Sequence, residues 1–61
     1  MTNIEIALMN YHEYLLSGAD IISYALQDGY NLKEALMILG LTNLNELVEL
    51  DTKRNKDVLS F

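Results

Sequence analysis

With no cysteine and a single histidine, His12, among its 61 residues, the chain has neither a disulfide nor the makings of a metal staple. A domain of this size lies below the range in which one hydrophobic core gives a comfortable stability margin, so packing or association must supply what a staple would. Hydrophobic residues make up 51% of the chain, too many for a disordered binding segment, and the sequence is that of a folded domain.

The local signals are helical throughout. No proline interrupts the chain, and no segment alternates apolar and polar residues for long enough to form a strand. Thr2-Asn3-Ile4-Glu5 has the form of a capping box, which places the start of a first helix near Asn3. At about 100° per residue, Ile4, Ala7, Leu8, Tyr11, Tyr14 and Leu15 share one arc and form its core-facing stripe, while Ile6, Met9 and Leu16 make a second apolar strip outside it. Ser17-Gly18-Ala19-Asp20 reads as a break and a new cap, with a continuous helix through Gly18 as the alternative. A second helix over residues 19–27 is expected to bury Ile22, Ala25 and Leu26, with Ile21 and Tyr24 on its flank.

Asp28-Gly29-Tyr30 predicts a Schellman stop, with Gly29 left-handed and Tyr30 packing back on the last turn. Asn31 and Glu34 repeat the capping pattern for a third helix, which presents Leu32, Ala35, Leu36 and Leu39 and ends at Gly40. Thr42 is the expected N-cap of a fourth, with Leu44, Leu47 and Val48 as its apolar side and Leu50 at the margin. Residues 51–57 contain no apolar side chain and are expected to be exposed or frayed, and residues 58–61 are left with three readings, a clasp folded back on the bundle, a ligand or a loose end. The fold class is all-α: a compact bundle of three to four short helices, as a monomer or a homodimer. Residues 1–51 form a single helical domain and residues 52–61 a basic, partly flexible C-terminal tail.

Charge and hydropathy narrow the setting. Residues 1–51 carry eight carboxylates against Lys33 alone, whereas the tail has Lys53, Arg54 and Lys56 against Asp57. Such a body repels polyanions, so direct nucleic-acid binding is not expected. The longest apolar runs, such as residues 35–39, fall far short of the roughly 20 residues a membrane span requires. The N-terminus lacks a basic and then apolar leader, and the expected compartment is the cytoplasm.

The inventory for chemistry is thin. Histidine, the residue type suited to proton transfer near neutral pH, occurs once, at His12, and there is no cysteine nucleophile, so no enzymatic activity and no cofactor are expected. Glu5 and His12 sit two helical turns apart, but two ligands do not make a metal site, and the residue three before His12 is Met9 rather than the glutamate of a di-iron bundle. A helix-turn-helix over residues 32–50 is the alternative reading: Thr42, Asn43 and Asn45 would face base edges and the protein would act as a dimeric DNA-binding regulator. Glu46 and Glu49 on the same helix would meet phosphates with like charge.

Protein binding is the leading expectation. Ile6, Met9 and Leu16, with Met37 and Ile38 in the third helix, exceed the apolar needs of one small core and are candidate partner-binding residues. Glu46 and Glu49, with Asp51 nearby, form the densest acidic group and are candidates for steering a basic, nucleic-acid-processing protein partner. Self-association is expected through Ile6, Met9 and Leu16. Size, acidity and lack of chemistry suit a small inhibitor or modulator of the kind carried by phages and other mobile elements.

Overall fold

The computed structural model describes residues 3–59 and contains four helices: α1 (Asn3–His12), α2 (Gly18–Gln27), α3 (Leu32–Ile38) and α4 (Leu44–Leu59). They form an all-α bundle in which α2 is central, packing against each of the other three. The expected Thr2 cap and the end of the candidate clasp, Ser60 and Phe61, lie outside the described residues.

Two helix starts, those of α2 and α3, follow the predicted chemistry. At α2 the Asp20 N–H donates to Ser17 Oγ at 3.1 Å and the Ser17 N–H donates to Asp20 Oδ2 at 2.9 Å, a reciprocal capping box. Asn31 and Glu34 make the same exchange at α3, at 2.8 and 3.0 Å. At α4 the cap moves one residue along from the expected Thr42. Asn43 Oδ1 accepts from the Glu46 N–H at 3.0 Å, while the Thr42 N–H and hydroxyl donate to the Glu46 carboxylate at 2.8 and 2.9 Å.

Helix ends are equally regular. Gly29 (φ 99°) and Gly40 (φ 75°) take the left-handed conformation. The following residues close Schellman motifs, with Tyr30 N–H donating to Ala25 O and Leu41 N–H to Leu36 O. The end of α1 repeats this geometry: Leu15 N–H donates to Asn10 O at 2.9 Å and Tyr14 N–H to Tyr11 O at 3.0 Å. Here the left-handed position is filled by Tyr14, at φ 62°.

That turn corrects the expected stripe of α1. Ile4 and Ala7 are buried, and Leu8 and Tyr11 pack against the core, but the helix ends at His12 and the turn carries Tyr14 and Leu15 out to solvent, Leu15 being 69% exposed. The core is small: Ile4, Ala7, Ile21, Ile22, Ala25, Ala35, Leu36 and Leu47. The alanines among them let α1 and α3 approach α2 closely. Because α2 is enclosed on three sides, Ile21 is fully buried rather than flanking, and Leu26 is exposed instead. Leu32, Leu44 and Val48, expected in the core, are exposed as well. The 14 Å short axis explains why: it accommodates about one interhelix spacing of 8–10 Å, so each helix keeps one face in water.

The fourth helix departs most from the sequence pattern. It continues without a break through residues 52–59: Thr52, Lys53, Asn55, Lys56 and Asp57 are exposed, as expected for residues 51–57, but they are held in a helix rather than frayed. Val58 and Leu59 extend its backbone.

Candidate interaction surface

The densest polar constellation lies where α4 crosses the turn between α1 and α2. A helix end exposes unpaired carbonyls and partial negative charge, and a helix start exposes unpaired amides and partial positive charge. The α1–α2 turn sets one of each side by side. Asp51 and Arg54, one turn apart on α4, meet them with matching sign. The Gly18 N–H donates to Asp51 Oδ1 at 2.7 Å and the Ala19 N–H to Asp51 Oδ2 at 3.1 Å. Arg54 donates through Nη2 to Tyr11 O at 2.6 Å and Leu16 O at 3.2 Å. Its guanidinium lies over the rings of Tyr11 and Tyr14, 3.8 and 4.2 Å from their centroids.

Gly18 is part of this fit. A Cβ there would lie 2.8 Å from Asp51 Oδ1 and 2.9 Å from Leu47 Cδ1, so any other residue would have to push these two side-chain ends aside and disturb the Asp51 hydrogen bond to the Gly18 N–H. Beside it, residues 14–17 and Asp51, Arg54 and Asn55 line an open notch of about 120 Å³. Small-molecule sites occupy roughly 300–1,000 Å³, and the polar groups here are turned toward one another rather than toward a ligand.

The carboxylates have a common use. Asp28 Oδ2 accepts from the Ile4 N–H at 3.0 Å, which caps α1 from the far end of α2. With Asp20, Glu34, Glu46 and Asp51, this makes at least five of the nine acidic residues that hold helix starts. Accepting from Thr42, first through its backbone N–H and then through its hydroxyl, holds the Glu46 carboxyl below its ordinary range. Glu49 is exposed on α4. His12 is exposed at the end of α1, edge-on to Tyr11 with ring centroids 5.6 Å apart. Among the described residues no three histidine or carboxylate side chains gather as metal ligands would, and no helix is long and apolar enough to cross a membrane.

The apolar candidates divide. Ile6 and Met9 lie together on the outward face of α1, opposite Ile4, Ala7 and Tyr11, and Met9 is 55% exposed. Leu16 does not join them. It lies beyond the helix, is drawn inward against the core and lends its carbonyl to Arg54. On α3, Met37 is 64% exposed, whereas Ile38 is half-buried against the core. The sequence pattern missed the exposed pair Leu44 and Val48, one turn apart on α4, and Leu15 at the turn. No local signal marks them, because their expected burial depended on how many helices share the core.

For the helix-turn-helix alternative, α3 and α4 each pack principally on α2. Two of its base-reading candidates, Thr42 and Asn43, are engaged with Glu46. Comparison with known protein families, with characterised proteins and with solved structures finds no match.

Proposed function

We propose that this chain is a non-enzymatic protein-binding module, an inhibitor or modulator that acts by covering an apolar site on a partner protein. The observation that carries the reading is the exposure of Ile6 and Met9 on α1, Met37 on α3 and Leu44 and Val48 on α4. Scattered single apolar side chains are normal on a protein surface, but paired exposure at helical spacing on two of four short helices is the pattern of a contact surface. The acidic residues support a secondary role. At least five serve helix starts, so the net charge of −5 favours the approach of a basic partner without supplying the contact itself.

The same surfaces suit a second copy, and self-association is part of the proposal. A tagged wild-type chain incubated with a native extract is expected to retain a defined partner that the Met9→Glu, Val48→Glu double variant loses. Equal retention by a double variant that keeps its helical circular dichroism would remove the reading. Light scattering on the purified chain at increasing concentration tests self-association: a mass of one chain throughout excludes it.

A further inference from the structure

The contact between α4 and the α1–α2 turn differs in kind from the rest of the bundle. Elsewhere the helices meet mainly through an apolar cluster that includes Ile21, Ala25 and Ala35, with the Ile4 N–H to Asp28 hydrogen bond as a polar contact between α1 and α2. Residues 51–57 of α4 include no apolar side chain, and they reach the turn through the Asp51 carboxylate and the Arg54 guanidinium. Charge-assisted hydrogen bonds of this sort are strong but hold only while both partners keep their geometry. A segment fastened by a few directional contacts, with little apolar burial, belongs to the low-stability end of a protein's local openings.

We infer that residues 51–57 are a latch, closed in this structure, which opens as a unit while α1, α2, α3 and the first half of α4 stay folded. Arg54 and Asp51 fasten it to the α1–α2 turn. Closed, Arg54 covers the rings of Tyr11 and Tyr14 and satisfies the end of α1, and Asp51 satisfies the start of α2. Open, the Tyr11 ring, the face of Tyr14 that Arg54 covers, the carbonyls of Tyr11 and Leu16 and the amides of Gly18 and Ala19 become accessible next to Leu15, which like the rest of Tyr14 is already exposed. The latch therefore controls access to one end of the bundle, whatever partner the outer apolar faces meet.

The structure contains its own reporter. The amides of Gly18 and Ala19 belong to the first turn of α2, where a helix offers its amides no internal acceptor. Their acceptors are the Asp51 carboxylate oxygens, so their protection from solvent exchange reads the state of the latch from outside α4.

Hydrogen exchange followed by NMR on the intact chain tests this. In the wild type, Gly18, Ala19 and residues 55–57 are expected to exchange through a shared opening, faster than Ile21, Ile22 and Ala25. Arg54→Ala should lower protection of the first group by about tenfold or more, the loss expected for hydrogen bonds to a charged group, and leave the second group unchanged. Arg54→Lys retains the charge without the planar fork and should loosen the same group to a lesser extent. Asp51→Asn should loosen residues 55–57 as well as Gly18 and Ala19. Equal loss in both groups, including an Arg54→Ala chain that no longer folds, would show that the segment is part of one cooperative unit and overturn the inference. So would loosening by Asp51→Asn confined to Gly18 and Ala19.

Discussion

Tyr14 occupies a backbone conformation that costs an L-residue roughly 1–2 kcal/mol, at a position where α2 and α3 use glycine. The guanidinium stacked on its ring is what the structure offers against that cost. Tyr14→Gly is accordingly expected to change the urea midpoint little in the wild type, since relief of strain and loss of the stacked ring oppose each other. In an Arg54→Ala background it should stabilise by about 1 kcal/mol, and a double-mutant cycle measures the difference. Gly18 gives a prediction of opposite sign to the usual rule. Glycine to alanine near a helix start is ordinarily favourable, but a methyl group here must displace the Asp51 carboxylate from the amides it holds, so Gly18→Ala should destabilise by about 1 kcal/mol in urea unfolding. Glu46 carries a pH dependence. Its folded pKa lies below the unfolded one, so its contribution is complete above the unfolded value and is lost as pH falls through the folded value. Stability profiles from neutral to acid pH should therefore be flatter for Glu46→Gln than for the wild type.

Among the elements, the starts and stops of the helices are written in short local signals. Gly29 and Gly40 have nothing within 4 Å of a built Cβ, so their role is conformational alone. Gly29→Ala and Gly40→Ala are each expected to cost about 1 kcal/mol by thermal unfolding, without altering the helical circular dichroism. Those two stops, the N-cap at Ser17 and the capping pattern of Asn31 and Glu34 were legible because each depends on residues within one turn. The end of α1 was not. Its left-handed residue is a tyrosine, and what accompanies it is Arg54, 40 positions away. The buried face of α2 was also misjudged by about one residue, with Ile21 inside and Leu26 outside, because a periodic pattern shows that a helix has an apolar side but not how many neighbours enclose it. The length of α4 escaped for a related reason: apolar periodicity stops at Leu50, and the contacts that carry the helix onward are polar. Of the candidate contact residues, Ile6, Met9 and Met37 stand exposed where the pattern placed them, and Leu16 and Ile38 were claimed by the core.

At the scale of the whole molecule, the surface is large for the mass. A folded monomer of 6.9 kDa is expected to expose roughly 4,000 Å², whereas this chain exposes 4410 Å², consistent with a body measuring 36 × 26 × 14 Å. So thin a bundle buries one side of each helix and leaves apolar side chains outside, while most of its carboxylates are occupied at helix starts. Binding through that apolar surface, with charge only guiding approach, has a distinctive response to salt. Near molar ionic strength the screening length shrinks to about 3 Å, which removes steering and surface ion pairing but leaves apolar burial intact. The most direct test is partner capture at low and near-molar salt, comparing the wild type with Met9→Glu, Val48→Glu and with Glu46→Lys, Glu49→Lys. Binding by apolar burial predicts capture that survives salt in the wild type and in the lysine variant and is lost in the glutamate variant. Capture abolished by salt and by the lysine changes, yet retained by Met9→Glu, Val48→Glu, would contradict it.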